Sequence, residues 1–235
     1  MGFVGFFITW EVTARLVGNP LLVSVADVGP ALWALRADLA IDTLISLRTL
    51  FLGYGVAVLV GLAMGIILAK VQPVRLLAMP VIDASRSVAA LALFPVLILL
   101  LGLGITAKAF VIFWTAWPAV LVNAMHGIDQ ADRQVIEAAK LDGAGRLDLL
   151  WQIELPLALP VIMAGLRIGA GGGWISLTAA EMLGSNAGLG FAVLSYSQSF
   201  QFPAMYAAIV VIAATGLLVN SSLSILQSHV EGVIE

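Results

Sequence analysis

A chain of 235 residues that is 61% apolar and 11% charged, with a mean hydropathy of +1.07, is built for lipid; a soluble domain carries about 25% charged residues. The net charge of −3 and the lack of a basic tract argue against a nucleic-acid partner. With no cysteine there can be no disulfide, thiolate metal site or cysteine nucleophile.

Spanning the hydrocarbon takes ~20 apolar residues at ~1.5 Å rise each. Residues 2–18 are apolar apart from Glu11 and Arg15 and read as a first span, short or partly interfacial. No Lys or Arg precedes them, so a cleavable signal peptide is not expected. Positions 19–40, with Asn19-Pro20 and Gly29-Pro30, suggest a loop and a surface helix. Residues 49–69 run uncharged between Arg48 and Lys70, and 87–107 between Arg86 and Lys108, giving two more spans. Residues 109–125 make a short fourth, 155–180 a fifth interrupted only by Arg167, and 203–228 an uncharged sixth. The expected fold is an all-α membrane protein, a polytopic bundle of about six helices in a single domain, 1–235. Positive charge in short loops favours an inward N-terminus. Lys70, Arg75, Arg86, Arg133, Lys140 and Arg146 then face the cytoplasm, against Arg15, Arg36, Arg48 and Lys108 outside.

Small residues recur at helical spacing in two spans: Ala57, Gly61, Gly65 and Ala69, then Gly165, Gly169 and Gly173. Such ridges let helix backbones approach closely in lipid, either within the chain or between two copies of it. Pro95 and Pro118 sit mid-span, where a kink is expected.

Between the fourth and fifth spans, residues 130–156 break the apolar pattern. Glu137, Ala138, Ala139, Lys140 and Leu141 are good helix formers, so 134–142 is expected to be a short helix. Val135, Ala138 and Ala139 share one face, and two alanines there let another protein approach the backbone. Gly143 can take φ > 0 and end the helix. A second amphipathic stretch carries Leu147, Leu150 and Trp151, and Pro156 fits the first turn of the next span. On composition alone the segment is either a docking handle or a helix hairpin lying on the bilayer.

Glu137-Ala138-Ala139, Gly143, Ile153 and Leu155-Pro156 stand at the spacing of the EAA signature. The segment thereby resembles that of ABC importer permeases, membrane subunits that receive force from a separate ATPase. Further residues are similar to the nitrate, sulfonate and taurine branch of that family. They are Ala164-Gly165-Leu166-Arg167, Gly171, Trp174, Ala179-Ala180-Glu181-Met182 and Gly188-Leu189-Gly190, with Ser46-Leu47-Arg48, Gly53, Gly61, Gly65 and His126-Gly127-Ile128 upstream. The likeness covers residues 40–228. It departs from the branch at Ala89 or Ala90, where a proline is usual, and at Leu100-Leu101-Gly102 in place of Trp-Phe-Gly.

The resemblance implies a type I importer, MetI-like fold in the bacterial inner membrane. It implies a complex of a second permease copy (a homodimer), two ATP-binding cassette ATPase subunits and an extracytoplasmic substrate-binding protein. The implied cargo is a small anion of the taurine, aliphatic sulfonate or nitrate class, with bicarbonate, aromatic acids or vitamin precursors as alternatives. No cofactor is expected in this chain, since none of Lys70, Lys108 or Lys140 follows the glycines of a phosphate loop. ATP and Mg would be bound by the ATPase, and the permease would not itself be an enzyme. The competing classes are an ion-coupled secondary transporter, although no internal repeat is visible, and a membrane-embedded enzyme, for which the spans hold too few polar groups.

A charge at the centre of a span costs ~2.5–3.5 kcal/mol on insertion scales, so embedded charges need a reason. Arg167 falls near the midplane and could snorkel, pair with a carboxylate, or face a water-filled path and attract an anion. Arg48, Arg86, Trp174 and Glu181 join it as candidates for the substrate path. Arg48 and Glu181, both near outer ends, could meet; Arg86, expected at a cytoplasmic boundary, could pair with Asp83. Ser185, Asn186, Gly188 and Gly190 form a polar outer loop that is a gate, a docking surface or a plain connector. His126 and His229 lie far apart and lack metal-ligand spacing.

Overall fold

The computed structural model describes residues 2–17 and 21–234, and among these every regular element is helical. Helices α1 (Gly2–Val17) and α2 (Val25–Ala34) precede a long α3 (Arg36–Lys70). Two shorter helices follow, α4 (Gln72–Ser87) and α5 (Ala90–Leu101), then α6 (Ile105–Asp129) and a short α7 (Arg133–Leu141). A single turn, α8 (Arg146–Asp148), runs through π-helical backbone at Leu149–Glu154 into α9 (Leu155–Gly184). The chain ends with α10 (Leu189–Gln198) and α11 (Phe202–Ile234).

Among the described residues four stretches are long and apolar enough to cross a bilayer, α3, α6, Arg146–Gly184 and Phe202–His229, and the bent pair of α4 and α5 qualifies when taken together as a fifth. The expected set of about six spans is therefore corrected at two places. At 16 residues α1 rises about 24 Å, short of the ~30 Å hydrocarbon layer. It also carries the pair in which Arg15 Nε donates to Glu11 Oε1 at 2.6 Å. Residues 87–107 are not one straight crossing either, because α4 and α5 meet at 90°. The bend falls at Val88 and Ala89, not at Pro95 or Pro118, both of which lie inside continuous helices.

Helix α6 is the axis of the bundle. Val111, Ile112, Ala116, Val120, Leu121, Ala124 and Met125 are all fully buried. On one side Gly53, Gly61 and Gly65 of α3 press against Ala109, Val120 and Ala124. On the other, Gly165, Gly169 and Gly173 of α9 press against Asn123, Ala116 and Ile112. Both small-residue ridges are thus used within the chain, where close backbone approach supplies the dispersion contact that lipid cannot displace. A second set of contacts joins Leu50, Trp174, Leu177, Leu189, Ala207 and Ala208, fastening α10 and α11 to α3 and α9.

The two ends of the bundle are chemically distinct. Lys70 at the end of α3 pairs with Glu154, and Arg75 Nη1 of α4 donates to Asp129 Oδ2 of α6 at 2.6 Å. Helix α7 and the turn α8 sit at this end. The opposite end gathers Asp42 and Ser46 of α3, Lys108 of α6 and Glu181 of α9.

Candidate functional site

Helix α7 begins where the Asp132 carboxylate accepts the Gln134 N–H at 2.8 Å, taking up one of the donors a helix start leaves unpaired. It ends as the Gly143 and Ala144 N–H groups return to Lys140 O and Ala139 O, with Gly143 at φ +89. Nothing lies within 4 Å of where a Gly143 Cβ would stand. The glycine is needed for its backbone conformation, not for space. Glu137, Ala138 and Lys140 are exposed and Ala139 is half-buried. Apolar side chains also stand in solvent, with Leu141 89%, Leu147 72% and Trp151 64% exposed. Helix α7 and the apolar side chains that follow it are thus left uncovered by the described residues.

The stretch after this knob dives into the bundle. Leu149 and Glu154 are buried, while Ile153, Leu155 and Pro156 are half-buried, and Pro156 occupies the first turn of α9. Glu154, not singled out from the sequence, holds the junction through Lys70. The signal available was a lone carboxylate between Ile153 and Leu155, facing a lysine at the matching end of another span.

At the far end Glu181 is 1% exposed and accepts the Gly190 N–H at 2.9 Å and the Ser46 hydroxyl at 2.8 Å. Ser46 Oγ in turn accepts the Leu189 N–H at 3.0 Å, and Asp42 Oδ1 accepts the Gly188 N–H at 2.9 Å. Side chains of α3 and α9 thereby satisfy the first-turn donors of α10 and favour its positive end. Lys108 Nζ donates to Ser185 Oγ at 2.9 Å, pinning the other side of the loop, while Asn186 is exposed. Gly188 sits at φ +105, and both Gly188 and Gly190 lie too close to Glu181 and the Thr178 backbone to bear a side chain. Burial, then Asp38 and Asp42, push the Tyr196 phenol on α10 upward. The expected meeting of Arg48 with Glu181 does not occur: Arg48 is exposed, and Ser46 takes its place.

The remaining charges fall in separate places. Arg167 is exposed, and its Nε donates to Asn220 Oδ1 of α11 at 3.0 Å beside a cavity of about 340 Å³ that Gln227 also lines. Trp174 is buried over Gly216 of α11 and packs the helices together. Arg86, expected at a cytoplasmic boundary, is instead level with the middle of α6, away from the bundle end that carries Lys70 and Glu154. It stands at the break between α4 and α5, where a cavity of about 370 Å³ is shared with Ser85, Thr115 and Ser176. Its nearest carboxylate, Asp83, is 3.9 Å away, and both side chains are more than half exposed.

Residues 57–233 match the family model of the binding-protein-dependent transport system inner membrane component. The chain is 37% identical over 182 residues to the taurine transport system permease protein TauC of Escherichia coli, covering 77% of this chain and 66% of that one, just under two thirds. It is 31% identical over 229 residues to a putative ABC transporter permease of Methanocaldococcus jannaschii (94% and 85% covered). Over 244 residues it is 29% identical to the bicarbonate transport system permease CmpB of Synechococcus elongatus (96% and 86% covered). Its fold is similar to a chain of the inward-facing MetNI methionine ABC transporter, with a TM-score of 0.71 at 17% identity over 86% of this chain and 98% of that one. The match takes in α6, the exposed knob of α7 and the outer loop together, and the chain belongs to the binding-protein-dependent transport system inner membrane components, the multi-pass permease subunits of ABC importers.

Proposed function

We propose that this permease moves a small anion of the taurine, aliphatic sulfonate or nitrate class inward across the bacterial cytoplasmic membrane. In this reading two ATP-binding cassette subunits dock on α7, a second copy of the chain completes the path, and a substrate-binding protein delivers cargo to the outer face. ATP and Mg reside in the ATPase. The observation that carries the reading is the uncovered α7 knob, whose following segment is fastened to α9 by continuous helix and to α3 by the Lys70–Glu154 pair. Closure of an ATPase pair against α7 then displaces both spans at once. The likeness to TauC supports a sulfonate cargo. Bicarbonate is the second reading, favoured by the alignment to CmpB over 96% of this chain.

The test is Glu137→Lys. The variant is expected to lose both ATPase recovery on purification and uptake into proteoliposomes containing the binding protein. Wild-type behaviour in both assays removes Glu137 from the coupling role.

A further inference from the structure

The break between α4 and α5 opens a cavity that neither the coupling segment nor the outer loop uses. At about 370 Å³ it falls within the ~300–1,000 Å³ typical of small-ligand sites. Its wall on α6 is Thr115 and Pro118, which lie 10 and 13 residues beyond Ile105. That places it about 15–20 Å from the outer end of α6, close to the middle of a ~30 Å hydrocarbon layer.

Arg86 is the one charged group on that wall, and among the described residues no side chain hydrogen-bonds it. A guanidinium offers five donors in a fork that suits the oxygens of a planar or tetrahedral anion. Around it stand two hydroxyls: Thr115 Oγ1, which donates to Val111 O at 3.0 Å, and Ser176 Oγ, 3.0 Å from Thr115 Oγ1. The first turn of α5 completes the lining through Ala90 and Leu91, and its N-cap, Ala89, provides no side-chain oxygen. A broken span that turns the positive end of a half-helix toward a cavity at mid-depth favours negative charge there. Leu91, Trp114 and Pro118 supply an apolar side that suits a short carbon chain.

We propose that this cavity is a station for the transported anion within the membrane, where Arg86 holds its oxyanion group and Thr115, Ser176 and the α5 first turn complete the shell. This rests on the anion-import reading above and adds where in the bilayer the anion is held.

Because the natural chain lacks cysteine, Ser176→Cys in the assembled complex gives a single thiol on the permease. It would be treated with 2-sulfonatoethyl methanethiosulfonate or the trimethylammonium analogue, each rate normalised to a free thiol. The anionic reagent is expected to react about tenfold faster than the cationic one, and adding Arg86→Gln should abolish that preference, the worth of one charge-assisted contact. Equal rates, a cationic preference, or no labelling of Ser176→Cys by either reagent overturns the site. Uptake of taurine, nitrate and bicarbonate by the wild-type complex tests the parent reading separately. Transport of an oxyanion with no labelling preference removes the cavity alone, whereas uptake of none of the three by a complex that does import a neutral or cationic solute removes the anion reading too. In the uptake assay Arg86→Gln should lower oxyanion flux about tenfold, while Arg86→Lys, which keeps the charge but not the fork, should restore only part of it. Thr115→Val should shift the ratio of taurine to nitrate flux, which a purely structural role would leave unchanged.

Discussion

Two glycines on α3, two residues apart, should respond to the same substitution with opposite sign. At Gly53 an added Cβ would stand 2.5 Å from Ala109 O, 2.8 Å from Ile112 Cβ and 3.0 Å from Ala109 Cα. At Gly55 nothing lies within 4 Å. Replacing either glycine by alanine gains about 0.5–1 kcal/mol of helix propensity, and this gain cancels in the comparison. What remains at position 53 is collision with a backbone carbonyl, which cannot rotate aside as a side chain can. Restoring an ordinary ~3.5 Å contact requires α3 and α6 to part by on the order of 1 Å, and overpacking of this kind costs about 1–3 kcal/mol. Gly53→Ala should therefore be less stable than Gly55→Ala by about 1–3 kcal/mol, with Gly55→Ala at or above wild type. Thermal unfolding of the purified complex in one detergent, followed by tryptophan fluorescence, supplies the ranking. Equal midpoints for the two variants would show that α3 and α6 do not touch along this ridge.

Three further outcomes follow from the two ends of the bundle. Glu181→Ala leaves the Gly190 N–H and the Ser46 hydroxyl without their acceptor, at about 1–3 kcal/mol each; amide exchange at Gly190 should accelerate well above wild type, and unchanged protection would refute the anchoring role. Lys70→Met strands the buried Glu154 carboxylate, a loss of up to about 3–5 kcal/mol that is lessened because Lys70 is 39% exposed. Adding Glu154→Gln should recover most of the thermal midpoint, and a double variant no better than Lys70→Met would show that the pair contributes nothing. Asp132→Ala removes the cap of α7 for about 1 kcal/mol, so ATPase affinity should fall by up to about fivefold while the membrane helices keep their stability.

Much of this was legible in the residues because lipid punishes exceptions. The segment between the fourth and fifth expected spans announced itself as a polar interval carrying Glu137-Ala138-Ala139 and Gly143, and the helix at Arg133–Leu141 lies within one residue of the expected 134–142. The glycine ridges gave the spacing but not the partner; only the packing on α6 decides that they serve the chain itself. The broken span stayed hidden because residues 87–107 are uniformly uncharged, and neither Val88 nor Ala89 is a helix breaker. The available hint was Ser85-Arg86-Ser87, polar residues at the end of an amphipathic helix and not at a water boundary. Charge complementarity also misled at the outer end. Arg48 is the obvious partner for Glu181 by charge, yet Ser46, half a helical turn away, is the residue that faces it, and the α10 donors supply the rest.

The run from Arg146 to Gly184 is 39 residues without a break, a rod about 58 Å long. Its foot lies beside the knob, and its head carries Glu181, which grips the loop on the opposite side of the bilayer. A π-helical turn lies near the foot, within the continuous run. In the coupling proposed above, crank and latch would then be one mechanical part, and a stroke delivered to α7 would reach the Glu181 loop in the same motion, so that fuel use and cargo admission would share a single clock.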